Sequence, residues 1–186
     1  ITRRLMWGSQ GRLNNSTTNR FQVWVHARAY SRGLRGRLVE FPIIRAVSTL
    51  GNRFRAVRKR VVDLESRLYP GRIYDRYFEE YRPQMLITSS LGNMIDPFFM
   101  RAARRQGCKV VSLIHGWDNI SSREYRGADP DHVITWNDNM KREVNVFHDI
   151  PEDRIHTGGV AHWDLYFNGR LKFRPRGEFL NANGLS

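Results

Sequence analysis

Five consecutive residues, His115, Gly116, Trp117, Asp118 and Asn119, bring an imidazole, a bare backbone, an indole, a carboxylate and an amide into one short stretch. An imidazole can act as a general base near neutral pH, and a neighbouring carboxylate can orient it. Together they could activate a hydroxyl, which makes His115 and Asp118 the candidate catalytic residues. Further hydroxyls and amides occur at Ser89, Ser90, Asn93 and Asn119, and unobstructed backbone N–H groups at Gly116, Gly158 and Gly159. With Trp117 these form the candidate binding set for a sugar or a phosphate, whose many oxygens need such partners. Plainer roles fit some of the same residues. His115 could be a structural histidine, Asp118 and Asn119 an Asx turn, and Trp117 a core side chain. Asn137, Asp138 and Thr157 could simply cap helices and turns.

The elements that would position these groups are four short apolar runs, Met85–Thr88, Val110–Ile114, His132–Thr135 and Arg154–Thr157. Each is rich in aliphatic residues and bounded by turn residues, as a buried strand should be. They recur every 22 to 25 residues, which leaves room for crossover helices but not for hairpins. Asn93–Gln106, with Gly107 as a stop, and Asp138–His148, with Asp138 as a cap and Met140, Val144 and Phe147 on one face, supply two of those helices. Residues 116–131 lack helical periodicity and are rich in Gly, Ser, Asp and Asn, which predicts a functional loop. The expected fold is α/β, a Rossmann-like parallel sheet with flanking helices, preceded by a basic helical region. In such a sheet ligands lie outside the carboxyl ends of the strands, where all the candidate residues above fall.

The chain carries a net charge of +13, placed unevenly. Residues 1–82 hold 18 Lys and Arg against 6 Asp and Glu, whereas residues 83–186 hold 13 against 12. Helices are expected over Phe21–Ser31, Ile43–Leu50, Asn52–Leu68 and Ile73–Tyr81, after a polar loop over residues 1–20. In Asn52–Leu68 the apolar Phe54, Val57, Val61, Leu64 and Leu68 recur at helical spacing, and Arg53, Arg55, Arg58, Lys59 and Arg60 fall mostly elsewhere. Such a basic amphipathic helix suits an anionic membrane surface. It suits nucleic acid less well, because the aromatic interleaving of stacking platforms is sparse and no zinc, RRM or KH signature occurs. Arginine outnumbers lysine 27 to 4 throughout, so a compositional bias would also produce this face.

Several chemistries find no support in the sequence. The six histidines lack paired metal-ligand spacing, so no metal is expected. No Walker A, dinucleotide fingerprint or Gly-x-Ser-x-Gly elbow occurs. The single cysteine, Cys108, excludes an intrachain disulfide, suits a reducing compartment and reads as a small buried hydrophobe. No apolar run approaches the roughly 20 residues that span a bilayer, and no signal peptide is visible.

Gly116-Trp-Asp-Asn-Ile-Ser-Ser-Arg123, Pro130-Asp-His-Val-Ile-Thr-Trp-Asn137, Arg154-Ile-His-Thr-Gly158 and Asp164-Leu-Tyr-Phe167, with Arg142-Glu143 and His148-Asp-Ile-Pro151 between them, carry a resemblance. The stretch from Arg82 to the C-terminus resembles a bacterial group of GT-B type glycosyltransferase-like proteins. More distantly it resembles sugar-nucleotide 2-epimerases and CDP-glycerol glycerophosphotransferases. Two departures stand out: Gly116 where serine is common, and Arg123 where lysine is frequent. Arginine keeps the charge but meets an anion as a planar fork, so Arg123 is expected to contact an anionic group.

The resemblance implies two Rossmann-like domains facing a cleft, the first binding a sugar or lipid-linked hydroxyl acceptor and the second the nucleotide-sugar donor. On that expectation residues 1–82 are the basic, mainly helical part of the first domain. Residues 83–167 are then its βαβ core, and 168–186 begin an interdomain linker. The first strands and the whole donor domain would lie outside the chain, which would itself hold no cofactor. The implied activity is sugar transfer in surface polysaccharide or glycolipid synthesis, in the cytoplasm and at the inner face of the membrane. Glycerophosphate transfer and epimerisation are the enzymatic alternatives, and a basic nucleic-acid- or membrane-binding module the non-enzymatic one.

Overall fold

A computed structural model describes residues 33–92, 95–122 and 125–185. The expected helix Phe21–Ser31 and the polar loop over residues 1–20 lie outside the described residues, as do Asn93 and Arg123. A helical lead-in, Gly33–Arg35 and a π-helical turn Gly36–Glu40, runs into α1 (Phe41–Arg53), followed by α2 (Arg55–Leu68) and α3 (Asp75–Tyr81). The core then alternates as β1 (Met85–Thr88), α4 (Asp96–Arg105), β2 (Lys109–Leu113), α5 (Asn119–Ser122), β3 (His132–Thr135), α6 (Asp138–His148) and β4 (Ile155–Thr157). Two short exposed helices, α7 (Asp164–Phe167) and α8 (Arg176–Ala182), follow.

The four strands form one parallel sheet in the order β1-β2-β3-β4, with Leu86 opposite Val110, Ser112 opposite Val133, and Val133 opposite Ile155. This is the expected α/β, Rossmann-like arrangement. Parallel crossovers are right-handed, and here each one steps the same way across the sheet, so all of them fall on one face. That face is filled by Thr88, Val110, Ser112, Val133, Thr135 and Ile155, all buried. On it sit two apolar clusters. Met140, Val144 and Phe147 of α6 pack with Ile114, Ile120, Val133 and Ile155. Met100, Ala102 and Ala103 of α4 pack with Phe78, Cys108 and Val110. The opposite face, with Ile87 64% exposed and Met85 and Leu113 also exposed, is uncovered among the described residues.

Element boundaries differ from the sequence expectation where local chemistry decides. Asn52 and Arg53 belong to α1, because Phe54 is extended (φ −123°, ψ 118°) and interrupts the run expected to be continuous over Asn52–Leu68. α4 starts at Asp96 with Pro97 in its first turn, where the missing N–H costs nothing, rather than at Asn93. It ends as expected before Gly107, whose φ of 72° a side chain would disfavour. The cap of α6 is Asn137, which accepts the Met140 N–H at 3.0 Å, and not Asp138. The loop over 116–131 contains the single turn α5.

A larger correction concerns α2. Its inward side carries buried Arg58 and Val62, while Leu64 and Leu68 are 56% and 64% exposed. Arg58 is thus not part of the solvated basic face. Its guanidinium forks onto Asp149, Nε to Oδ2 at 2.8 Å and Nη2 to Oδ1 at 2.9 Å, and its Nη1 donates to the Gly51 carbonyl at 2.7 Å. Tyr125 donates its hydroxyl to Asp149 Oδ2 at 2.8 Å. Asp149 sits just past α6 in the left-handed region (φ 54°), which aims its carboxylate at α2. Burial works against ionisation of Asp149, but hydrogen bonds from Arg58 and Tyr125 outweigh it and hold the carboxyl below its usual range.

Removing one partner strands the other charge in the interior, so Arg58→Ala and Asp149→Ala should each cost about 3–5 kcal/mol in urea unfolding. The pair's contribution should be full above the ordinary carboxylate pKa of about 3.9 and drain away as pH falls through the lower folded-state value. Asp149→Ala should therefore flatten the acid limb of the stability profile. An unchanged unfolding midpoint in either variant would refute the role assigned to the pair.

Candidate functional site

The four parallel strands end in the same direction, so the loops that follow them line one edge. With neighbouring strands about 4.8 Å apart, the β1 and β4 loops stand roughly 14 Å from each other. Ser89 and His115 are therefore neighbours, whereas Gly158 and Gly159 lie at the far end of the row.

The first loop is organised by a residue that the sequence reading missed. Asp96, in the first turn of α4, accepts from Ser90 Oγ at 2.7 Å and from Ser89 Oγ at 3.3 Å. A carboxylate there is favoured by the positive end of the helix. Ser90 is buried and holds the turn, also through its carbonyl, which accepts from Thr88 Oγ1 at 3.1 Å. Ser89 is exposed and can meet a ligand. The available signal was the Asp96-Pro97 pair, a common helix opening.

The second loop follows β2 directly. His115 is exposed, and its Nδ1 lies 3.5 Å from Asn119 Nδ2, the outer limit of a hydrogen bond. Among the described residues the imidazole's partner is thus Asn119 rather than Asp118. With the amide turned so that its oxygen faces the ring, Nδ1–H would donate and Nε2 would be left as a free base. Gly116 leaves room for the Asn119 amide: its carbonyl accepts the Asn119 N–H at 3.2 Å, and a Cβ would lie 2.6 Å from Asn119 Nδ2 and 3.2 Å from Asp118 Oδ1. Trp117 is 69% exposed, so it is not a core residue and presents its indole to solvent two residues after His115.

The third and fourth loops are mainly structural. Asn137 caps α6, and Asp138 Oδ1 accepts from Thr157 Oγ1 at 2.9 Å, tying the β3 and β4 loops together. The Gly158 N–H is already spent on the Thr135 carbonyl at 2.8 Å, and a Cβ there would sit 2.6 Å from Ile134 Cγ2. Gly158 is therefore a close-approach glycine rather than an anion donor. Gly159 has φ 78° with open space around it. An aromatic group stands at this end, with Trp136 edge-on to both His162 and Trp163 at centroid distances of 5.6 Å. On the sheet's uncovered side, His132 Nδ1 and His156 Nε2 approach to 3.0 Å across β3 and β4. Among the described residues no group of three or more metal-ligating side chains forms.

Placing serine at position 116 should push the Asn119 amide off the His115 ring. In Gly116→Ser the His115 ring nitrogens should shift in nitrogen NMR spectra, with global stability changed by less than about 2 kcal/mol. Unmoved His115 signals would show that Asn119 does not position the ring.

No protein-family model, curated protein or solved structure matches this chain, so its chemistry rests on the residues themselves.

Proposed function

We propose that the carboxyl edge binds a hydroxyl-bearing acceptor, as the acceptor-side domain of a glycosyltransferase-like enzyme that moves a sugar from a nucleotide donor to a hydroxyl. The observation that carries this reading is an exposed imidazole and indole, His115 and Trp117, on the strand end next to the Ser89–Ser90–Asp96 group. In this scheme His115 accepts the hydroxyl proton as the acceptor oxygen attacks the anomeric carbon, and the nucleoside diphosphate departs from the donor. Asp118 is the second candidate base. Ser89 and Asn119 orient the acceptor, and the Trp117 indole packs on its ring. The donor binds a nucleotide domain beyond this sheet. The setting is surface polysaccharide or glycolipid synthesis in the cytoplasm. Glycerophosphate transfer would ask for the same hydroxyl activation from this edge, whereas sugar-nucleotide epimerisation would ask for a base that removes and returns a carbon-bound proton.

Titrating the chain with lipid-free oligosaccharide acceptors should shift resonances of Ser89, His115 and Trp117 saturably. In the donor-binding enzyme, His115→Ala should lower kcat by about 10²–10⁴ with KM little changed. Equal kcat in His115→Ala and wild type would overturn the assignment.

A second observation favours peripheral attachment to an anionic membrane. No helix of the described residues is long and apolar enough to cross a bilayer. Yet Leu38, Ile43, Leu50, Phe54, Leu64 and Leu68 of the helical region are exposed, beside exposed Arg53, Arg55, Lys59 and Arg60. Apolar side chains interleaved with cations are what an interfacial helix needs. Sedimentation with phosphatidylserine vesicles, absent with phosphatidylcholine and lost in Leu64→Glu/Leu68→Glu, is the expected result. Equal binding to duplex DNA would favour a general polyanion-binding surface instead.

A further inference from the structure

A cavity of about 510 Å³ lies between α2, the Pro70–Arg72 turn, the second half of α4 and the stretch that descends into β3. None of the residues that directly follow a strand lines it, so it is separate from the carboxyl edge. Its wall is strongly cationic. α4 contributes Arg101, Arg104 and Arg105, and the segment before β3 contributes Arg126. Lys59, Arg67 and Arg72 complete the set.

These charges are only partly neutralised. Arg101 Nη2 pairs with Glu65 at 3.0 Å, Arg105 with Asp75 at 2.5 Å and Arg126 with Asp129 at 2.9 Å. Asp63 and Asp129 are the acids on the wall itself, with Glu65 and Asp75 outside it. Seven cations are thus set against four carboxylates in all, and the side chains of Lys59, Arg67 and Arg72 have no hydrogen-bond or ion-pair partner among the described residues. A second observation is independent of charge. Arg101 and Arg126 are 5% and 6% exposed, and the Nε–H of each is sealed from solvent without an acceptor. The two guanidinium groups are thus fixed into the wall, Arg101 by the Tyr69 and Gly127 carbonyls at 2.8 and 2.7 Å and Arg126 by Asp129, so these cations stand in place before any oxyanion arrives.

We infer that this cavity is a binding site for a small phosphorylated molecule, a phosphate or diphosphate ester. Guanidinium forks bind phosphate oxygens in pairs, and three surplus cations match the charge of a diphosphate ester. The volume exceeds that of a lone phosphate ion and falls within the usual range for small-ligand sites. Val62, Pro70 and Ala128 provide an apolar wall for the organic part. The proposal is independent of the carboxyl-edge chemistry and of the exposed apolar side of α2.

Calorimetric titration of the whole chain with pyrophosphate and with glycerol 3-phosphate tests it. Both should bind saturably at physiological salt, and binding should weaken as salt rises. Arg72→Glu/Arg104→Glu should weaken binding by about tenfold or more, a loss of about 1.4 kcal/mol or more, with thermal unfolding checking that the fold is kept. Arg174→Glu, an exposed change outside the cavity, should leave affinity within about twofold of wild type. Three results would overturn the proposal: no saturable binding of either probe, equal weakening by Arg174→Glu, or binding only to phosphatidylserine vesicles or duplex DNA.

Discussion

The buried pair between Arg58 and Asp149 decides how the two halves of this molecule meet. Desolvating two charges is unfavourable unless every donor and lone pair is used, and here nearly all are. Arg58 serves both carboxylate oxygens and the Gly51 carbonyl, and Tyr125 adds a hydroxyl. Once Arg58 must face inward, the rotation of α2 about its own axis is fixed. Val62, one turn later, follows it into the interior, and Leu64 and Leu68 turn outward. The exposed apolar stripe and the α2 wall of the cationic cavity are both results of that single orientation.

Much of the sheet was legible because strands of this kind announce themselves locally. β1 and β3 match their expected bounds, and β2 begins one residue earlier, at Lys109, and ends one earlier, at Leu113. α6 begins and ends where its periodicity placed it. The helical region was less legible for a physical reason. A helical spacing of apolar residues says that one side differs from the other, and only a partner says which side is buried. That partner, Asp149, stands 91 residues from Arg58. Likewise the Ser89–Ser90–Asp96 group depends on where α4 starts, and the contact between His132 and His156 on strand register, which no local spacing reveals. The candidate site was therefore visible as a row of loops but not as a set of contacts. His115 was found, its companion Asn119 was placed in another role, and Asp96 was overlooked.

Charge is distributed between two distinct surfaces. The carboxyl edge presents hydroxyls, amides and aromatic faces, which suit neutral hydroxyl-rich molecules. The cavity between α2 and α4 gathers guanidinium groups on a concave wall, with Arg101 and Arg126 buried, so that their fields add at one place. The same excess of arginine thus has different consequences by position. On the outer side of α2 it is solvated and weak in effect, and in the cavity it is directional.

The strand order also bears on how the chain acquires its fold. Because each new strand is added beside the one synthesised just before it, every pairing closes a loop of similar, modest length, and no gap has to be held open for a strand still to come. Parallel pairing still requires each crossover to close before its contacts reward it, so such a sheet forms more slowly than a bundle of local helices. The sheet can nevertheless grow in the order of synthesis, with β1 as the template and β4 arriving last, and the Arg58–Asp149 pair can close only after the segment that carries Asp149 has been made.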